Sequence, residues 1–241
     1  IFLWLCLTSF CYADDIRSVF FMGNYFYEQA NYDEAIKQYN RILESGLESG
    51  NLYYNLGNCY FKKGQLGRAI LNYEKARRIM PGDLDLDSNY KYALSLIKGP
   101  TIYPKRILFL RLLDNLFERF SIDGLTALLS AVYLSVLVIL LVGVFFKPSK
   151  KYALAFAVIL GILFVVGLAY LQKKISCLNR EGIIIEEVAD VKFEPKDSAT
   201  TYFSLYEGMK VVIVSFQDDW CKVRRQDNKS GWVRTGALAI F

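Results

Sequence analysis

Side chains able to carry covalent or acid–base chemistry are few in this sequence and badly spaced for it. No histidine occurs among the 241 residues. That removes Ser-His-Asp and Cys-His nucleophiles, imidazole zinc sites and most general-base designs. Of five cysteines, Cys6 and Cys11 lie in a leading apolar segment, while Cys59, Cys177 and Cys221 fall in three distant regions with no CxxC pair. They read as buried or interfacial structural thiols rather than disulfides or metal ligands. The carboxylate pairs Glu186-Glu187 and Asp218-Asp219 are chain neighbours whose side chains diverge, so neither makes an acid/base pair. The net charge of +5 is scattered over several segments, without the one-sided basic stripe that nucleic-acid binding requires. The expectation is a chain that is not an enzyme, uses no cofactor or metal, and works by recognition.

Recognition needs a scaffold, and the sequence repeats one. Gly23, Ala35 and Tyr39 recur as Gly57, Ala69 and Tyr73, a shift of 34 residues. In the second copy Tyr53, Leu56, Gly57, Tyr60, Ala69, Tyr73, Ala76 and Pro81 resemble the tetratricopeptide signature. The first keeps Gly23, Phe26, Ala35 and Tyr39 but has Val19, Met22, Ile42 and Leu47 at other signature sites. That period is the length of one helix–turn–helix unit, and such units hold partners. The resemblance implies a groove lined by the first helix of each unit. It would comprise Arg17, Phe20, Asn24 and Tyr27, then Asn51, Tyr54, Asn55, Asn58 and Phe61, with Asn89 in a closing helix. The amides could bond a partner's backbone or only their own neighbours; the aromatics would supply anchor area. Because Phe20 and Tyr54 stand where a first-helix cation would, an apolar or helical ligand fits better than a terminal carboxylate.

Two uncharged runs, Leu125 to Phe146 and Tyr152 to Leu171, are each long enough to cross a bilayer as a helix, which takes about 20 residues. Only Lys147-Pro148-Ser149-Lys150-Lys151 separates them, so they form a hairpin that places both flanking regions on one side. The lysine-rich link favours a cytoplasmic loop, while Lys105, Arg106, Arg111, Arg119, Lys173, Lys174 and Arg180 on the flanks cancel that bias. The opening Ile1 to Ala13, apolar and ending small-x-small before Asp14-Asp15, has the shape of a secretory signal. It tips the expectation towards export of both flanking regions. From Pro104 to Phe120, Arg111, Asp114, Asn115 and Glu118 share one helical face and leucines and phenylalanines fill the rest. Such a helix suits either the membrane surface or the end of the repeats.

Beyond Leu171 the pattern turns to short β-branched and aromatic runs between polar turns, five or six strands suited to a small barrel. Leu205-x2-Gly208, Asp219-Trp220-x2-Val223 and Gly231-Trp232-Val233 resemble the bacterial SH3 domain. The motif residues are Gly208, Trp220, Gly231 and Trp232, with both tryptophans read as core. Tyr202, Tyr206, Arg224 and Arg225 are candidates for an exposed cleft.

The expected organisation is a multidomain membrane protein. A signal (1–13) precedes an all-α tetratricopeptide domain (14–98), and a linker with an amphipathic helix (99–120) leads to a transmembrane hairpin (121–147 and 152–172 around loop 148–151). After a second linker (173–185) comes a small all-β SH3-like barrel (186–241). This order of parts resembles the BatE proteins of the Bacteroides aerotolerance operon. The resemblance implies a non-catalytic inner-membrane scaffold, facing the periplasm, whose partners are other Bat-type proteins. The alternative is a cell-wall module whose barrel binds peptidoglycan.

Overall fold

The computed structural model describes residues 16–99, 108–145, 150–178 and 180–241. The expected signal segment and part of the lysine-rich link lie outside the described residues. Those described divide into two compact units, one of residues 16–99 with 180–241 and one of 108–178.

In the first unit, five helices alternate with tight turns: α1 (16–28), α2 (Tyr32–Glu44), α3 (Gly50–Lys62), α4 (Leu66–Ile79) and α5 (Leu84–Ser95). Small polar side chains start α2, α3 and α5. Asn31, Ser49 and Asp83 accept from the backbone N–H of Glu34, Leu52 and Leu86, satisfying donors that a first turn leaves unpaired. The stops repeat as well. The N–H of Asn31 bonds the carbonyl of Phe26, and that of Gln65 the carbonyl of Tyr60, around left-handed residues Ala30 and Gly64. Gly57 is where two helices meet: a Cβ there would stand 2.5 Å from the Tyr73 ring, and one at Gly23 would stand 2.5 Å from Tyr39. The small Ala35 and Ala69 are fully buried with these tyrosines. The repeat signature is therefore a steric code for packing one helix onto the next.

The rest of this unit is a seven-stranded antiparallel sheet in the order β3-β2-β6-β5-β4-β1-β7. Its strands are β1 (Glu181–Ile184), β2 (Val188–Lys192), β3 (Thr201–Tyr206), β4 (Lys210–Gln217), β5 (Trp220–Arg224), β6 (Ser230–Arg234) and β7 (Leu238–Ile240). Strand β1 lies in the stretch assigned to a linker, yet it is internal to the sheet and pairs with both β4 and β7. Successive residues of a strand face opposite ways, and β1 uses both faces. Ile184 joins the barrel core with Val191, Leu205 and Val223, whereas Ile183 joins the helical core with Ile70, Tyr73 and Leu86. Both isoleucines are fully buried. Trp220 is buried as expected, but Trp232 is not core. In β6 the alternation gives the inward positions to Gly231 and Val233 and leaves Trp232 half-buried on the outer face.

The second unit holds α6 (Leu108–Phe117), α7 (Ile122–Phe145) and α8 (Lys150–Cys177). Ser121 caps α7 by accepting from the N–H of Gly124 at 3.0 Å. The long helices run antiparallel, with Tyr133 against Phe164 and Leu129 against Gly167, whose missing side chain admits it. Both are long and apolar enough to cross a membrane, and only 11% of either apolar window is buried. A core helix of a soluble protein would hide most of that surface.

Candidate functional site: an amide–tyrosine frame and a charged junction

The groove candidates assemble into a bonded frame that repeats with the sequence. Tyr39 donates its hydroxyl proton to Oδ1 of Asn24 at 2.7 Å, and Asn55 Nδ2 donates to the same oxygen at 3.0 Å. One repeat later Tyr73 donates to Oδ1 of Asn58 at 2.7 Å, and Asn89 Nδ2 donates there at 3.1 Å. Asn89 also bonds the Tyr54 hydroxyl at 2.8 Å. Each frame ties both helices of one repeat to the first helix of the next. The two acceptor lone pairs of Asn24 and Asn58 are thereby used within the fold. Burial pushes the Tyr39 and Tyr73 phenols well above their ordinary range, keeping them protonated as donors.

The remaining candidates stand around this frame. Phe20, Tyr27, Tyr54 and Phe61 are half-buried, and Arg17 and Asn51 are exposed. Phe20 leans on Tyr39, Tyr27 on Tyr32, Tyr54 on Tyr73, and Phe61 on the exposed Tyr92. Cys59 is fully buried beneath them, and burial lifts its thiol to about 12, so it packs as an apolar group.

A second constellation joins the helices to the barrel. Lys210, at the start of β4, reaches Glu74 of α4 at 3.3 Å and Glu181 of β1 at 2.9 Å. Arg78 bonds Glu181 at 2.9 Å, Tyr90 donates to Glu74, and Arg77 pairs with Asp87 at 3.0 Å while lying over the Tyr90 ring. Phe241 closes this junction, buried under the guanidinium of Arg78 at 4.2 Å. Burial alone would raise the Glu74 carboxyl; Lys210 above all, with Tyr90 and Arg77, holds it below its usual value instead. Burial alone would lower Lys210, but Glu74 and Glu181 together keep its ammonium above the usual range. Nearby, the backbone N–H of Gly67 donates to Glu207 at 2.8 Å, and Lys98 pairs with Glu187.

The barrel motif residues divide between two roles. Gly208 sits at φ +85°, and a Cβ there would strike Ile70 and Ile97, so it serves the junction as well as its turn. Gly231 lets β2 approach, since its Cβ would meet Val191 at 2.6 Å. Trp220 lies under the Arg234 guanidinium at 4.8 Å. Of the cleft candidates, Tyr206 covers Gly99 at the junction, while Arg225 is engaged by Asp227 through two bonds. Tyr202 stays exposed and rests on the exposed Phe193, ring centroids 4.5 Å apart. Arg224 is exposed.

Glu74, Glu181, Lys210 and Phe241 were not singled out from sequence. The available signal was the run Ile183-Ile184-Ile185, which demands burial on both faces and therefore a second body beside the barrel.

Comparison with known families agrees with this architecture. Residues 22–83 match the family model for the tetratricopeptide repeat, and residues 187–239 match that for the bacterial SH3 domain. Both are interaction modules, which bind proteins or, for the second, also cell wall. No curated protein matches the chain.

Proposed function

We propose that this chain is a non-enzymatic, membrane-anchored scaffold whose repeat groove docks another membrane-associated protein. In this reading α7 and α8 span the bacterial inner membrane and both modules face the periplasm. The partner is a component of a Bat-type assembly linked to aerotolerance or stress. The reading is supported by the repeated Asn24-Tyr39-Asn55 and Asn58-Tyr73-Asn89 frame, against which Phe20 and Tyr54 pack, with the half-buried Tyr27 and Phe61 on the same two helices. Rigid, half-buried aromatics lose little conformational entropy when a partner covers them. With the Asn24 and Asn58 oxygens already used, the groove favours an apolar helix over an extended backbone.

Substitutions that spare the frame test this. Arg17→Glu with Asn51→Arg alters two exposed positions only. It should abolish photo-crosslinking from position 61 to the partner after mild detergent extraction while leaving thermal unfolding unchanged. Undiminished crosslinking would remove the groove from the account.

The Phe193–Tyr202 platform supports a second reading, wall binding, because exposed rings of this kind stack on sugar faces. Sedimentation of the full chain in detergent with purified peptidoglycan, lost on Tyr202→Ala, would favour it. No sedimentation would end it.

A further inference from the structure

Helix α6 has two unlike sides, and one is already occupied. The Tyr170 hydroxyl donates to Oδ1 of Asp114 at 2.6 Å, and Lys173 Nζ reaches the same oxygen at 3.0 Å. The Phe117 ring stacks on Tyr170, centroids 4.7 Å apart and planes 22° from parallel. Lys174 donates to the carbonyls of Phe117, at 3.2 Å, and of Phe120, where the chain leaves α6. One flank of α6 is thus fastened to α8 by a carboxylate, a stacked ring and two ammonium groups. The other flank carries Leu108, Leu112 and Leu116, one turn apart, at 69%, 59% and 55% exposure. Residues four apart stack along one face of a helix, so these leucines form a continuous stripe.

We propose that this stripe docks into the interfacial layer of a lipid bilayer, with α6 lying flat at the boundary between headgroups and acyl chains. The proposal rests on reading α7 and α8 as the spanning pair. The level of the clamp selects lipid rather than protein as the occupant. Tyr170, Lys173 and Lys174 stand where the apolar run of α8 ends, and tyrosine and lysine are the side chains that mark the membrane–water boundary. A helix fastened to them by its polar flank lies at that depth. Its leucines then continue the outward apolar surface of α7 and α8, which resumes at Ile122, five residues after Phe117. Arg119, Lys173 and Lys174 add positive charge where anionic headgroups lie.

The test is nitroxide accessibility in the full chain, its native cysteines replaced, in vesicles of phosphatidylcholine and phosphatidylglycerol. Labels go one at a time at Leu112, Leu116, Asn115 and the mid-span Leu137. The oxygen-to-nickel-chelate accessibility ratio should be several-fold higher at Leu112 and Leu116 than at Asn115, and lower than at Leu137. Chelate access to Leu112 and Leu116 equal to that at Asn115, with Leu137 still oxygen-rich, overturns the lipid docking and leaves the spanning pair intact. Exclusion of both reagents from Leu112 and Leu116 also overturns it, because protein then covers the stripe. Ratios as high as at Leu137 overturn the interfacial depth. Chelate access at Leu137 itself sinks the spanning pair and the proposal together.

Discussion

Glu74 and Lys210 are ordinary charges in the sequence and the least replaceable ones in the fold. They are separated by 136 residues; Glu74 shares its helix with the exposed Arg68 and Lys210 only opens a strand, so nothing local marks them as a pair. Removing one member of a buried pair leaves the other uncompensated, at a cost of about 3–5 kcal/mol. Lys210→Met should therefore lower the unfolding free energy measured by urea titration in detergent, by less than that because Tyr90 and Arg77 still face Glu74 and Arg78 still bonds Glu181. Glu74→Gln added to it should recover part of the loss, as expected of residues that interact. The pH dependence has a definite sign. Glu74 is held below its ordinary 4.5, so its contribution is present above that value and fades as pH falls through the lowered one. Lys210 is held above its ordinary 10.5, so its contribution is present below that value and fades as pH rises through the raised one. Resistance of the junction to limited proteolysis should be greatest between these limits. The Lys210→Met chain should lack the alkaline limb.

The helical repeat was legible because the recurring glycine, alanine and tyrosine of its signature perform a steric task, Gly23 and Gly57 admitting the Tyr39 and Tyr73 rings beside the buried Ala35 and Ala69. Gly57→Ala, which in an open helix would gain up to about 1 kcal/mol, should instead cost about 1–3 kcal/mol by driving a methyl into Tyr73. At Gly161 of α8 a Cβ meets nothing within 4 Å, so the same substitution there should raise the thermal unfolding temperature or leave it unchanged, never lower it. The weaker first repeat shows where the code was relaxed. Ala30 holds φ +57° at the place where the second repeat has Gly64. Ala30→Gly should raise the unfolding free energy by roughly 1 kcal/mol and the midpoint with it, since a Cβ is strained in that region. A midpoint that falls would mean the turn gains more from Ala30 than its backbone loses. The amide frame was half legible. Asn24, Asn55, Asn58 and Asn89 were visible as a row, but that the Asn24 and Asn58 oxygens accept from Tyr39 and Tyr73, with Asn55 and Asn89 donating to the same oxygens, depends on helix pairing that spacing alone does not specify. The barrel was read from its motifs, and Trp232 was misread because the alternation around it was not followed through. With Gly231 and Val233 inward, the residue between them must face out.

The whole molecule combines two interaction modules with a pair of long apolar helices, and its unexpected feature is that the modules are built into one body. Ile183 and Phe241 come from the barrel end of the chain and are buried in the helical core, so neither module keeps its own surface without the other. This also bears on topology. Modules that share a core must lie in the same compartment, which is what a tight helical hairpin between them allows. The shared core sets the helical repeats and the barrel at one relative orientation, so a partner that engaged both would gain from pre-organisation rather than from new contacts. The most direct test places cysteines at Lys98 and Glu187, exposed side chains that meet at 2.8 Å across the junction, in a chain otherwise free of cysteine. In sealed membranes treated with a short, membrane-impermeant bismaleimide, peptide mapping should find the two positions joined within one chain. Modification of only one of them, with the other reached solely after the membranes are opened, would contradict the account.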